Sequence, residues 1–300
     1  IACLQGCVAN MYAGNPVCCL TNPFLGHEAE PLEKAEEPKK VMVIGGGVAG
    51  LSAAFIAKER GHEVTLYEAG DILGGNMRLA AYPPGKGDIT NMIRSYIHRC
   101  QKDGVKIVMN CEVTPELIKE EKPDSVIIAT GSKTLILPIE GIDNPAIIHG
   151  SDLLDGKRAA GKKVLVVGGG MVGCETAAFL GEQEHDVTVI EFRDTVGADV
   201  IHEHRVYLMK DFEDYGIKEI TGAKVCKFYE DGVEYETADG VRHESRGYDS
   251  VILSMGFRNY NPLEEKIKDL VPETHVIGDA IRARRALDAT KEAYEVASKI

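Results

Sequence analysis

The sequence predicts an α/β fold of two nested domains built on parallel sheets, behind a short cysteine-bearing lead-in. Three observations carry this. The run Gly45-Gly46-Gly47-Val48-Ala49-Gly50 follows the apolar stretch Val41-Met42-Val43-Ile44. The run Gly168-Gly169-Gly170-Met171-Val172-Gly173 follows Val164-Leu165-Val166-Val167, starting 123 residues after the first. Strand patterns alternate with helical ones along the chain, which implies parallel sheets joined by right-handed crossovers.

Bulk properties narrow the class. A chain of 300 residues with 44% hydrophobic and 27% charged residues has the composition of a globular protein able to bury a large core. A net charge of −13 argues against nucleic acid as a partner. No apolar run reaches membrane-span length, and no basic-then-apolar leader opens the chain, so no membrane association is expected. The eight cysteines do not form the framework of a secreted disulfide scaffold, and a reducing cytoplasm is the expectation. The chain opens on Ile1, inside a cysteine motif, and is read as a fragment of a longer protein.

Residues 1–38 form the lead-in, ending in a charged connector that carries Pro31 and Pro38. Val41–Ile44 is the first strand. Val48, Leu51 and Phe55 lie at helical spacing after it, Gly61 ends that helix, and Val64–Glu68 is the second strand. Ile89–Lys102 reads as a helix, and Val105–Asn110 and Ser125–Ala129 as strands. Lys133–Arg158 reads as a crossover. A second unit begins with the strand Val164–Val167, a helix through Phe179, and the strand Val187–Glu191. Ile217–Val241 alternates as antiparallel strands do. Val251–Met255 and His275–Ile277 are further strands, and a helix runs from Arg285. The expected organisation places residues 161–248 as an insert in an outer domain of 39–160 plus 249–300.

Each glycine run carries backbone chemistry. Gly45 and Gly168 permit a tight turn, Gly47 and Gly170 let a pyrophosphate approach the backbone, and Gly50 and Gly173 let helix and strand pack closely. The helix starts, Val48-Ala49 and Met171-Val172, offer free N–H groups and a positive dipole end to phosphate. Glu68 and Glu191, each 18 residues past the last glycine, are placed to accept hydrogen bonds from ribose hydroxyls. After the second strand, Ala69 and the run Gly74-Gly75-Asn76-Met77 suit a loop held against a large ligand. Two such units in one chain mean two nucleotide sites.

The arrangement resembles the two-dinucleotide flavoproteins, whose domains are Rossmann-like and nested as in glutathione reductase. In these proteins a Gly-Asp ending a late strand bonds the ribityl chain of FAD. The resemblance puts Gly278-Asp279 there, so FAD falls to the outer domain and NAD(H) to the insert. Ala129-Thr130-Gly131 and Ser254-Met255-Gly256 resemble the crossover motifs between the domains. Glu175 resembles a glutamate near the nicotinamide. Glu191 would repel a 2′-phosphate, favouring NADH over NADPH, although Arg193 softens that preference. Cys174 lacks a partner cysteine two residues away, so it reads as a packing residue. His202 and His204 read as a surface pair.

Closely spaced thiolates with one distant thiolate are how iron–sulfur clusters are held. Cys3 and Cys7 are followed, after eleven intervening residues, by Cys19. Together with Phe24–Glu28 and Leu79–Lys86, this segment resembles the iron–sulfur-containing NADH:flavin oxidoreductase family of 2,4-dienoyl-CoA reductase, 2-enoate reductase and trimethylamine dehydrogenase. Cys3, Cys7 and Cys19 match the last three cysteines of that family's motif. The resemblance implies a [4Fe–4S] cluster and an N-terminal FMN barrel, both completed only in a full-length parent. It also implies an electron path from NADH through FAD and cluster to FMN, with that barrel and small nucleotides as partners; self-association is left open. No catalytic acid–base residue is expected in this segment. The rival expectation is an ADP-holding structural module without redox work, as in the trimethylamine dehydrogenase branch. A third is the nested small subunit of glutamate synthase.

Overall fold

The computed structural model describes residues 1–300, which divide into two compact units. The first comprises Ile1–Ala81, Gly87–Lys133 and Arg258–Ile300; the second comprises Tyr82–Lys86 and Thr134–Phe257.

In the first unit, α1 (Val8–Tyr12) lies in the lead-in and is followed by β1 (Lys40–Ile44), α2 (Val48–Glu59) and β2 (Glu63–Tyr67). Then come α3 (Asn76–Leu79), α4 (Ile89–Lys102), β3 (Lys106–Val108), α5 (Pro115–Glu121) and β4 (Ser125–Ile128). The chain leaves this unit in β5 (Ser132–Thr134).

The second unit contains β6 (Ile148–His149), α6 (Gly150–Leu154), β7 (Lys163–Val167), α7 (Met171–Glu182) and β8 (Asp186–Ile190). It continues with α8 (His202–Asp214), β9 (Lys218–Ile220), β10 (Lys224–Tyr229), β11 (Gly232–Glu236), β12 (Arg242–Arg246) and β13 (Ser250–Leu253). The chain returns through β14 (Phe257–Asn259) to α9 (Glu264–Ile267), β15 (Glu273–Val276), a 3-10 turn at Gly278–Ala280, and α10 (Ala286–Ala297). No helix is long and apolar enough to cross a membrane.

Each unit has one five-stranded sheet, ordered β15-β4-β1-β2-β3 in the first and β6-β13-β7-β8-β9 in the second. All pairings reported within the two sheets are parallel. Strands of a parallel sheet are covered on both faces, which is why β1, β4, β7 and β13 read as continuous apolar runs. The α2 helix is buried from Val48 through Ala57, with Leu51, Phe55 and Ile56 at 0% exposure. It needs no polar face because it shares its core with β1, with α4 through Tyr96, and with α10 through Ala289, Ala293 and Ala297. The antiparallel stretch is a three-stranded sheet, β10-β11-β12, as the alternation predicts.

Two expectations need correction. The strand at Val251 does not resume the outer domain; Ser250–Leu253 pairs in parallel with Val164–Val167, in the second unit's own sheet. The crossover segment contributes β6 to that sheet, so the insert runs from Thr134 to Phe257 rather than from 161 to 248. A buried apolar run of four or five residues identifies a parallel strand but not the sheet it joins. The lead-in packs into the first unit. Leu20 is fully buried, its carbonyl accepts the Tyr96 hydroxyl at 2.8 Å, and Phe24 packs edge-on against Tyr294 at 5.6 Å.

Candidate nucleotide sites

The first site sits where β1 gives way to α2. Gly45 has φ +108, and a side chain there would meet the Ala129 carbonyl at 2.3 Å, so both conformation and space demand glycine. At Gly50 a Cβ would lie 1.9 Å from the Gly45 carbonyl, which is the close approach of helix to turn. At Gly47 a Cβ would meet nothing within 4 Å. This glycine leaves open space that would admit a phosphate group, so the residues fit a dinucleotide. Glu68 closes the turn: Oε2 accepts the Gly46 N–H at 2.7 Å and Oε1 accepts the Gly70 N–H at 2.7 Å. The loop folds back as the Gly74 N–H donates to the Gly46 carbonyl at 2.8 Å.

The same unit brings Asp279 to this neighbourhood through β15. Its Oδ2 accepts the Ser132 hydroxyl at 2.9 Å, and its Oδ1 accepts the Arg284 N–H at 3.0 Å. Asn76 reaches the same Ser132 from the loop, its amide 3.4 Å from the Ser132 carbonyl. Gly278 N–H is held by Glu292 at 2.7 Å, and Arg284 pairs with Glu292. Ala129 N–H continues the strand to the Ile44 carbonyl at 2.8 Å, while the Thr130 hydroxyl and the Gly131 carbonyl bond Tyr260. Ala69 is exposed and Met77 is half-buried beside Leu73 at the core edge. Ser132 and Glu292 carry no sequence signal; the strand order alone assembles them with Asp279.

The second site repeats the first. Gly168 has φ +104, and a Cβ at Gly173 would lie 1.8 Å from the Gly168 carbonyl. Glu191 Oε2 accepts the Gly169 N–H at 2.6 Å, Oε1 accepts the Arg193 N–H at 2.9 Å, and the Gly197 N–H donates to the Gly169 carbonyl at 2.7 Å. Phe192, beside Glu191, is 69% exposed. One difference stands out at Gly170 and Met171, where the Asp199 carboxylate accepts the Met171 N–H at 2.8 Å. Glu175 and Val172 follow on the first turns of α7, and Glu175 is paired with Lys86 of the same unit. Gly256 ends the strand run and its carbonyl accepts the Leu135 N–H at 2.9 Å.

Cys174 is fully buried, its Sγ lies 3.2 Å from the Gly169 carbonyl, and burial pushes the thiol up to about 12. It is a packing residue, and all eight cysteines are free thiols. In the lead-in, Cys7 is exposed while Cys3 and Cys19 are half-buried. Burial raises Cys3; at Cys19 burial acts upward too, but hydrogen bonds from Thr21 and Asn22 outweigh it and hold the thiol below its ordinary value. No group of three or more His, Cys, Asp or Glu side chains is gathered to hold a metal. The three thiols therefore do not by themselves fit a complete cluster site. A cleft of 680 Å³ in the same unit is lined by residues that include Cys18, Cys19, Arg60, Lys291 and Tyr294 and by no residue of either glycine run.

Two matched turn-and-acid sites on two parallel sheets define a two-nucleotide oxidoreductase. Residues 39–275 match the pyridine nucleotide-disulphide oxidoreductase family, and the chain belongs to it. That membership and the relatives' identities place it among the NAD(P)H-dependent flavin oxidoreductases. It is 34% identical over 304 residues to a cinnamate reductase of Clostridium sporogenes, covering 100% of this chain and 45% of the relative. It is 34% identical over 309 residues to an NADH oxidase of Thermoanaerobacter brockii, covering 100% of this chain and 47% of the relative. Among solved structures, a complex of 2-naphthoyl-CoA reductase superposes with a TM-score of 0.94 at 33% identity, covering 100% of this chain and 46% of that one. The thioredoxin reductase of T. acidophilum shares the fold, with a TM-score of 0.66 at 19% identity, over 87% of this chain and 97% of that one. The chain spans about half the length of the curated relatives it matches.

Proposed function

We propose that this chain is the electron-input part of a flavin-dependent reductase, taking hydride from NADH to FAD. The observation that carries the reading is the duplicated turn, Glu68 on Gly46 and Glu191 on Gly169, at 2.7 and 2.6 Å. In this reading the first unit holds FAD, because Asp279 is gathered there with Ser132 and Asn76. The second unit holds NADH, with Glu191 at the adenosine ribose.

When bound, the flavin supplies the acceptor for hydride. The chain's own residues position. Gly47 leaves room for the pyrophosphate, the N–H groups at Val48 and Ala49 face it, and Glu68 orients the turn that receives the ribose. Glu175, held by Lys86, lies within the first turns of α7 and is proposed to orient the nicotinamide end. No side chain is asked to move a proton, since a nicotinamide-to-flavin transfer needs orientation more than acid–base chemistry.

The finer reading concerns the longer protein. Cys3, Cys7 and Cys19 are proposed as three of the ligands of a [4Fe–4S] cluster that only the longer protein would complete; such a cluster would supply one-electron transfer toward FMN in a preceding barrel, where an activated C=C bond would be reduced. The 34% identity to a cinnamate reductase supports an enoate-type final acceptor. The test is a count of sites. Reconstituted chain is expected to carry one FAD and to bind one NADH; Glu68→Ala should weaken the first and Glu191→Ala the second. Loss of both nucleotides in either variant would contradict the assignment of separate sites.

A further inference from the structure

The internal repeat extends past the fingerprints at the same offset of 123 residues: Gly45 answers to Gly168, Glu68 to Glu191, Gly74 to Gly197, and Asn76 to Asp199. The hydrogen bonds repeat with it. Gly74 N–H donates to Gly46 O at 2.8 Å, and Gly197 N–H donates to Gly169 O at 2.7 Å. At the last position the two units part. Asn76 is neutral and turns toward Ser132, leaving the space at Gly47 empty to 4 Å. Asp199 carries a charge, lies 3.4 Å from where a Gly170 Cβ would sit, and accepts the Met171 N–H at 2.8 Å.

Met171 is the first residue of the twelve-residue α7, and its N–H is one of the donors that the fingerprint presents to a pyrophosphate. A carboxylate on that donor is a built-in anion in the phosphate position. We propose that Asp199 determines how tightly the second site takes a dinucleotide, by occupying its pyrophosphate seat until the nucleotide displaces it. This rests on the reading of the second unit as the NADH site.

The consequence is asymmetric affinity. A ligand that binds only the displaced state has its apparent affinity reduced by the fraction of molecules in that state. The first site pays no such penalty and is suited to a resident cofactor; the second is suited to a nucleotide that must arrive and leave in each cycle. The repulsion between the carboxylate and the two charges of the pyrophosphate adds to the same effect.

The test is calorimetric titration of NADH into the chain and into Asp199→Asn and Asp199→Ala. The Asn variant keeps the Oδ1 acceptor at the helix start and loses only the charge, so it controls for folding. Both variants are expected to bind NADH about two- to fivefold more tightly, the range set by a charge at a helix N-terminus. FAD content should not change. Affinity that is unchanged or weaker in Asp199→Asn would overturn the proposal while leaving the second site as the nucleotide site. Absence of NADH binding in all three proteins would overturn that reading and the proposal with it. A second readout is the Met171 amide resonance in chain labelled with 15N-methionine. Asp199→Ala should move it without nucleotide, and NADH should move it in the parent chain; a resonance indifferent to NADH would exclude displacement.

Discussion

The Lys86 ammonium is paired with the Glu175 carboxylate, whose side chain is only 10% exposed. Lys86 ends the five-residue segment Tyr82–Lys86, which clusters with the inserted unit although the chain on either side belongs to the outer one. A short loop is thus tied to the first turns of α7 by a partly desolvated charge pair. Removing one partner leaves the other charge buried alone, which costs more than removing both. Lys86→Met is expected to destabilise by about 1–3 kcal/mol, and Lys86→Met with Glu175→Gln to recover much of it. A double-mutant cycle by urea unfolding checks this; additive effects would show that the pair is not coupled.

The glycines of one turn should separate folding from binding. Gly47→Ala puts a methyl group into open space, so the chain should fold as before but lose FAD. Gly50→Ala forces a Cβ to 1.9 Å from the Gly45 carbonyl and should destabilise by about 3 kcal/mol. Thermal melts with flavin content on each variant check the pair. A Gly47→Ala chain that retains flavin at the parent level would mean that the open space is not the phosphate site.

On the proposed reading, Glu191 serves binding rather than the chemical step. Glu191→Ala should raise the KM for NADH about tenfold, about 1.4 kcal/mol, with kcat little changed. Steady-state kinetics with an artificial electron acceptor give both constants. A fall in kcat at unchanged KM would place Glu191 in the transition state instead.

His62 gives the fold a pH dependence of known sign. It is fully buried, its Nδ1 accepts the Lys39 N–H at 3.0 Å, and its Nε2 has no partner. Burial first, then the charges of Arg60 and Lys39, hold the imidazole below its ordinary value. In the unfolded chain His titrates near ~6.5. Below that pH the unfolded chain takes a proton that the folded chain refuses, so the stability present above it is lost as pH falls toward the depressed folded value. Unfolding midpoints at pH 8 and pH 5.5 should differ less in His62→Asn than in the parent chain. Equal differences would show that His62 does not contribute.

What the sequence made legible, and what it did not, follows physical lines. The fingerprints were legible because tight turns and close approaches leave few choices of residue. Glu68 and Glu191 were legible because a strand of fixed length carries the acid back to the turn. The ownership of Val251–Leu253 was not, because an apolar strand looks the same in either sheet. A fuller use of the repeat would have placed it, since β4 and β13 each end in a similar tripeptide, Ala129-Thr130-Gly131 and Ser254-Met255-Gly256. Lys86 and Asp199 were invisible for another reason. Their roles come from loops folding back on α7, and neither loop has a periodic pattern to read. The lead-in cysteines were legible as a motif, yet the structure gathers no metal-holding group from them.

The most direct test is an anaerobic titration of the FAD-loaded chain with NADH, followed by absorption. One equivalent of NADH is predicted to bleach the flavin bands, and Glu191→Ala is predicted to require several times more. Flavin that stays oxidised under excess NADH, with NADH demonstrably bound, would contradict a role in electron input.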